Sequence, residues 1–361
     1  MNMLTRLSHE EIVSLDRNYA EVARSVRLTY VNDSKPGISR VRKGKAFAYL
    51  DDSKKTVKEE DLLRIKKLVI PPAWTNVWIC SKANGHIQAT GVDVRGRKQY
   101  KYHTLWTAVR NETKFHRLYE FGKAIPAIRQ QLEKDLSRKE LGLEKVLATV
   151  ISLMERTYIR VGNEDYEKLY GSHGITTLKD KHVSISSGEI KFSFIGKKGV
   201  AHSMSLRNKR LAKVVKQCRD IPGKELFQYY DEEGVRKSID SGEVNNYIKE
   251  ASQKEFTAKD FRTWAGSLSF LRSLKAIGEA ITDTERKKNI LAALDEVSHK
   301  LGNTRTVCRK YYVHPKLIEL YETNALQKYL NELDEIEQAD PQKDLTTDEK
   351  VLMKILKSLH Q

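Results

Sequence analysis

Gly302-Asn303-Thr304-Arg305-Thr306-Val307-Cys308-Arg309-Lys310-Tyr311-Tyr312 follows the last strongly patterned helical stretch of a 361-residue chain. Before it, Ile290, Leu291, Leu294 and Val297 recur at helical spacing, which predicts a helix over 285–301 that stops at Gly302-Asn303. Thr304 or Thr306 is then placed to cap a short helix bearing both tyrosines. Taken alone, the stretch is a helix end and a basic aromatic turn, compatible with almost any fold. Its meaning depends on what other segments bring to it.

Next upstream, Thr257 and Asp260 stand at capping-box spacing, and Phe261, Trp264, Ala265, Leu268 and Leu271 mark the buried stripe of a helix starting near 258. Arg262 falls one residue off that stripe, in the first turn, with Lys259 close by. A helix N-terminus disfavours cations by roughly 0.3–1 kcal/mol each, so the pair hints at an anionic partner.

Residues 181–206 are the one evident β segment of the second half. Phe192 and Phe194 alternate with polar residues up to Ile195, Gly196-Lys197-Lys198-Gly199 turns the chain, and 200–206 returns. Lys197 thus sits at a hairpin tip. Gly196-Lys197 is not a nucleotide-phosphate loop: the spacing from an upstream glycine is wrong, and no Ser or Thr follows the lysine.

Farther back, 105–118, 125–136 and 143–159 read as three helices, the last through Leu143, Val146, Leu147, Val150, Met154 and Tyr158. Arg160 ends the third, with Val161-Gly162 as its stop; a lone arginine there is ordinarily a solvated partner of the helix dipole. After Pro315, 317–333 continues helical, Asp340-Pro341 breaks it, and 351–359 is a small amphipathic helix with no assigned chemistry.

The first hundred residues differ in character. A polar, helical lead-in to about 24 gives way to a short strand at Thr29-Tyr30-Val31 and a hairpin over 38–50 turning at Lys43-Gly44. A helix over 59–68 stops at Pro71-Pro72, and three strands follow at 77–80, 86–90 and 99–102. In Asp93-Val94-Arg95-Gly96-Arg97-Lys98-Gln99-Tyr100-Lys101-Tyr102-His103, cations alternate with aromatic residues. Two readings stay open for this ribbon: Arg95, Arg97 and Lys98 on phosphates with Gln99, Tyr100 and Tyr102 on base edges or sugars, or an edge strand charged against aggregation.

Composition bounds these readings. With 65 basic against 48 acidic residues the formal charge is +17, which makes nucleic acid the first partner to consider. At 39% hydrophobic content, without repeats, the chain supports two domains with their own cores. Cys80, Cys218 and Cys308 are widely spaced and lack a His at metal-ligand spacing, which points to a reducing cytoplasm and no structural zinc. No apolar run approaches signal-peptide or membrane-spanning length, so a soluble cytoplasmic protein, with no membrane partner, is expected.

Five further motifs, in order, carry a resemblance: Ile159-Arg160-Val161-Gly162, Thr177-Leu178-Lys179-Asp180-Lys181-His182-Val183, Phe194-Ile195-Gly196-Lys197, Lys259-Asp260-Phe261-Arg262-Thr263, and 301–312, joined by the ribbon at 95–102. Together, over roughly 70–323, the chain resembles the small type IB DNA topoisomerases of poxviruses and bacteria. The resemblance implies that Arg160, Lys197 and Arg262 fall on the family's three catalytic cations and Tyr312 on its nucleophile. The separations of 37 (197 − 160) and nine residues (312 − 303) agree with the family pattern, and the second selects Tyr312 over Tyr311. Asn303 stands where poxvirus members have His; it donates a hydrogen bond but brings no charge.

That chemistry suits these residue types. A tyrosine phosphoester conserves the energy of a broken phosphodiester without ATP, and cations around a phenol favour its deprotonation. The planar forks of Arg160 and Arg262 suit charge developing on the non-bridging oxygens, with Asn303 as a neutral donor. Lys197, on its flexible hairpin, can protonate the departing 5′ oxygen. No Asp/Glu constellation has metal-binding spacing, so neither metal nor cofactor is expected.

The expected fold class is α+β: a small antiparallel β N-terminal domain over 1–106, a larger, mainly helical catalytic domain with a β-hairpin over 107–335, of the type shared by tyrosine recombinases and type IB topoisomerases, and a C-terminal tail over 336–361. The resemblance further implies a monomer whose two domains clamp double-stranded DNA, a 3′-phosphotyrosyl intermediate and relaxation by swivelling. The competing readings are a tyrosine recombinase, against which the 95–102 ribbon argues, and a non-enzymatic basic DNA-binding protein.

Overall fold

A computed structural model of the chain describes residues 18–44, 46–333 and 344–358. The chain divides into two compact units between Arg117 and Leu118. That division lies inside a helix, eleven residues beyond the 106/107 boundary read from the change in composition.

The first unit is built on one antiparallel sheet of order β2-β1-β3-β4-β5, with β1 Ile38–Lys43, β2 Ala46–Leu50, β3 Thr75–Ile79, β4 Ile87–Val92 and β5 Lys98–Tyr102. Helix α2 (Glu59–Lys67) buries Ile65 against Ile38, Val77, Ile79 and Ala89. Of the expected lead-in, α1 (Tyr19–Ser25) is described, and residues 1–17 lie outside the described residues. It packs Val22 and Ala23 with Leu28, Trp106 and Val109. Arg40, stacked 4.2 Å over Phe47, donates to the carbonyls of Ile70, Pro71, Pro72 and Trp74, so one guanidinium holds the proline loop between α2 and β3.

Helix α3 (Thr104–Leu136) carries the chain from one unit into the other. The sequence reading expected two helices here; they are one, 33 residues long, running through Pro126. A proline removes one ladder bond and crowds the preceding turn. Burial of Phe121, Ala124, Ile125 and Ile128 offsets that, with the Phe121 ring edge-on to Phe256, Phe261 and Trp264. Gly122, in the gap between the two expected helices, is a packing requirement: a Cβ there would meet the Trp264 ring at 2.8 Å and also Met353 Sδ.

The second unit has α4 (Leu143–Thr157) at its centre, with Val146, Ala148, Val150, Ile151 and Leu153 fully buried. Around it run α5 (Glu164–Tyr170), a three-stranded antiparallel sheet β6-β7-β8 (Val183–Ser186, Glu189–Ile195, Ala201–Arg207), α6 (Lys209–Arg219), α7 (Ser241–Ser252), α8 (Ala258–Ile277), α9 (Asp283–Leu301), α10 (Arg305–Tyr311), α11 (Pro315–Glu322), α12 (Gln327–Leu330) and α13 (Thr347–Lys357). A second hairpin, β9 (Gln228–Tyr230) with β10 (Arg236–Ser238), went unread because its strands have three residues each, too few to show alternation. The expected continuous helix over 317–333 is interrupted between α11 and α12, where Asn324 takes a left-handed conformation (φ 60°).

Helix α13 begins four residues before the amphipathic segment read from sequence. Capped by Thr346 and Glu349, it buries Val351, Leu352, Ile355 and Leu356 in the main core rather than forming a separate tail. The break expected at Asp340-Pro341 lies outside the described residues. Among the described residues, no helix is long and apolar enough to cross a membrane.

Candidate active site

Arg160 is placed by a turn rather than by a helix end. Helix α4 stops at Thr157, Tyr158 caps it in the left-handed region (φ 59°), and Ile159 buries itself. Arg160 and Val161 then run beside the 3-10 turn Ile175–Thr177, accepting Ile175 N–H and Thr176 N–H at 2.8 Å each. This needs two glycines face to face: a Cβ on Gly174 would lie 2.4 Å from Gly162 Cα, and Gly162 itself has φ 105°. The Arg160 guanidinium donates to Gly302 O at 3.2 Å and to Asn303 Oδ1 at 2.9 Å.

Arg262 corrects the stripe reading. Helix α8 runs through the middle of the unit and is buried on every side from Phe261 to Leu271, so the position next to the stripe is also buried, with Arg262 only 6% exposed. Its guanidinium donates to Tyr158 O and, at 2.7 Å, to Leu301 O, while Nε has no hydrogen-bond partner among the described residues. It lies 5.3 Å over the Tyr312 ring.

Tyr312 is the C-cap of α10, which Thr304 caps at the other end through Val307 N–H. Two residues of α8 that the sequence reading passed over fix its backbone. Gly266 allows contact, since a Cβ there would be 2.6 Å from Tyr312 O, and Ser267 Oγ donates to that oxygen at 3.2 Å while accepting His314 N–H at 3.0 Å. The small pair Gly266-Ser267 inside an otherwise bulky helix was the available signal. Gly302 ends α9 in the left-handed region, as expected, and aims Asn303 at Arg160.

Lys197 is exposed on the turn Lys197–Gly199 joining β7 to β8. Arg160, Lys197, Asn303 and Tyr312 line one cleft of about 740 Å³, with Arg262 beneath it. His202 of β8, absent from the sequence reading, lines the same cleft. Tyr311 and Lys259 are not among its lining residues; Lys259 is exposed on the first turn of α8.

The electrostatics of the cleft are one-sided. Among the described residues no carboxylate stands within ion-pair distance of Arg160 or Arg262; their partners are backbone carbonyls, one amide and, for Arg262, the Tyr312 side chain. Burial, then repulsion from Arg262, brings the Arg160 guanidinium down to about 10, and burial lowers Arg262 too. The His202 imidazole is lowered by burial and by both arginines, so it is neutral near pH 7. Burial pushes the Cys308 thiol up to about 11, which leaves Tyr312 without a competing thiolate.

The ribbon of the first unit is handled differently. Asp93 accepts the backbone N–H groups of Arg95 and Arg97, the Arg97 guanidinium and the Gln99 amide, and the Arg97 bond holds its carboxyl at about 2. Lys98 pairs with Asp33 at 2.6 Å. Tyr100 and Tyr102 are exposed on the same strand face, stacked in parallel at 5.8 Å, with Lys98 5.6 Å from the Tyr100 ring. Arg95 is exposed in the β4–β5 turn.

Comparison with known proteins fits this geometry. Residues 99–339 match the family described as eukaryotic DNA topoisomerase I, catalytic core, and residues 46–93 match bacterial DNA topoisomerase IB, N-terminal domain. The chain is 37% identical over 296 residues to the DNA topoisomerase 1B of Acanthamoeba polyphaga mimivirus, covering 80% of this chain and 88% of that protein. It is 26% identical over 235 residues to the DNA topoisomerase 1B of vaccinia virus (strain Copenhagen), and 25% identical over 235 residues to the DNA topoisomerase I of monkeypox virus. Each match covers 64% of this chain and 71% of the viral protein.

A small antiparallel sheet domain joined to a helical catalytic unit, with these matches, defines an isomerase that acts on DNA. Within that class the chain belongs to the type IB DNA topoisomerases. It relaxes supercoiled DNA by transient cleavage of one strand through a 3′-phosphotyrosyl intermediate, which sets aside the recombinase and the non-enzymatic binding protein.

Proposed function

We propose that Tyr312 is the nucleophile that attacks the scissile phosphorus, that Arg160, Arg262 and Asn303 bind its non-bridging oxygens, and that Lys197 protonates the 5′ leaving oxygen. The observation that carries this reading is a buried arginine, Arg262, and a half-buried one, Arg160, neither with a carboxylate counter-ion among the described residues, meeting beside Tyr312. Burying a charge without an opposite charge is costly, and a phosphate removes the cost. Each step of negative charge on phosphorus is matched by donors already in position, so little reorganisation accompanies the reaction.

Asn303 works in two directions. Its Oδ1 accepts from Arg160 and aims the guanidinium; its Nδ2, held only by a 3.4 Å contact with Leu301 O, turns to the phosphate. Lys197, exposed on a turn, reaches the leaving oxygen without displacing packed structure. Arg95, Arg97, Lys98, Gln99, Tyr100 and Tyr102 of the first unit, and Lys259 of the second, contact duplex DNA outside the cleft. The enzyme acts as a monomer in the cytoplasm and needs neither metal nor nucleotide.

Supercoiled plasmid incubated with the protein in EDTA, without nucleotide, tests this reading. Relaxation is expected, with Tyr312→Phe abolishing it (a loss of at least about 10⁴-fold, as for removal of an essential nucleophile) while duplex binding persists. Activity retained in Tyr312→Phe and lost in Tyr311→Phe would overturn the assignment.

A further inference from the structure

We propose that His202 is a positioning residue for strand cleavage: its ring is the wedge that seats the Lys197 turn against the Gly302-Asn303 turn. The inference rests on the proposed role of Lys197 as the general acid.

The wedge is defined by what touches it. His202 pairs directly with Phe194 across β7 and β8, one rung below the Ile195–Ala201 pair that closes the turn. The two rings stack at 5.0 Å with 16° between their planes, so the imidazole is held flat against the strand leading to Gly196-Lys197. On one edge a Cβ added to Gly196 would come within 2.6 Å of the ring, and on another a Cβ added to Gly302 would come within 2.4 Å. Two glycines from different elements thus leave room for the same side chain. One immediately precedes Lys197; the other supplies its carbonyl to Arg160 and immediately precedes Asn303.

The position explains a mechanical difficulty of the site. Lys197 is on a turn with little packing of its own, Lys198 and Gly199 both having positive φ, yet it must meet the leaving oxygen while Arg160 and Asn303 hold the same phosphate. An acid on an exposed turn and an oxyanion pocket on another element need a common reference, and His202 provides it by lying against Gly196 on one side and Gly302 on the other. A neutral ring suits the place, since a cation there would repel Arg160 and Arg262. The ring does not itself take part in bond making; it sets how often Lys197 is found within hydrogen-bond reach of the leaving oxygen.

The test measures single-turnover cleavage of duplex DNA by His202→Ala and His202→Gln, beside Lys197→Ala, on an ordinary 5′-oxygen linkage and on one with sulfur as the 5′ leaving atom. Sulfur leaves without protonation, so a defect in the acid disappears on it and a defect in folding or in the arginines does not. For His202→Ala we expect a loss of about 10- to 100-fold on the oxygen linkage, from the misplacement of a catalytic group. Equilibrium DNA binding stays unchanged, and the rate on sulfur lies within about threefold of the parent protein, on the same ground that no proton is needed there. His202→Gln, close in volume, shows a smaller loss with the same rescue, and carries the test if the alanine variant does not fold. Parent-like cleavage of the oxygen linkage, or an equal defect on both linkages, overturns the proposal. Rescue of Lys197→Ala without rescue of either His202 variant overturns the role of His202 alone; failure to rescue Lys197→Ala removes the general acid and the positioning role with it.

Discussion

The cleft around Tyr312 and the strand from Lys98 to Tyr102 both set cations beside aromatic rings, and they treat those cations in opposite ways. In the ribbon, Arg97 answers Asp93 and Lys98 answers Asp33, in water, with the tyrosines outward. In the cleft, Arg262 is buried and Arg160 half-buried, with no carboxylate within ion-pair distance among the described residues, and backbone carbonyls and the Asn303 amide orient them without neutralising them. Paired surface charge has little to gain from a new anion. Buried unanswered charge has much to gain, and that gain is available to a transition state.

A third cation sharpens the contrast. Arg129 is as buried as Arg262 but is answered by Glu349 at 2.8 Å and Glu155 at 2.8 Å, so it should serve stability and not chemistry. Burial works against both charges, yet the Arg129 bonds hold the Glu349 carboxyl below its ordinary value. Glu349→Ala, which leaves the guanidinium with Glu155 as its carboxylate partner and frees the Trp264 indole N–H, is expected to cost about 3 kcal/mol of unfolding free energy. Denaturant titration checks it, and an undiminished midpoint would break the distinction between answered and unanswered burial.

Next in size, Arg160→Ala should slow cleavage by about 10²- to 10³-fold, the usual consequence of removing one preorganised donor. Duplex affinity should remain nearly unchanged. Affinity falling as far as the cleavage rate in single-turnover assays would mean that the cleft cations only bind. In the ribbon the order reverses: Tyr100→Ala combined with Lys98→Ala should weaken duplex binding by about tenfold, from one stacking contact and one phosphate contact, with the rate at saturating enzyme little altered.

Asp93→Asn is the mildest. It releases Arg97 and should steepen the salt dependence of binding by about one unit of logarithmic slope. The same bond predicts a pH window. The folded-state carboxyl is depressed to about 2 from an ordinary 3.8, so its contribution to ribbon order is complete above that ordinary value and is lost as pH falls through about 2. NMR shifts of the Arg95 and Arg97 amides would follow that loss.

How much of this was legible in the sequence varies with the range of the interaction. The sheet of the first unit, the hairpin at 196–199, the cap of α9 at Gly302 and the short helix behind Thr304 depend on neighbours in the chain, and periodicity and turn residues carried them. The five candidate residues came from ordered motifs, and four of them line one cleft with Arg262 below. The burial of Arg262 was not legible, because a stripe argument assumes a helix with one wet face and α8 has none from Phe261 to Leu271. The gap left between the expected helices 105–118 and 125–136 is closed by distant packing: Trp264 and Met353 lie against Gly122 within one continuous α3. His202 gave no local sign, since its neighbours Gly196 and Gly302 are over a hundred residues apart from each other.

Helix α13 is synthesised after every other described element of its unit, yet its Glu349 accepts the indole N–H of Trp264, two residues from Arg262, and its Asp348 accepts from Arg272 on the same helix. A chain still on the ribosome therefore has the tyrosine and all three cations before it has the piece that seats α8.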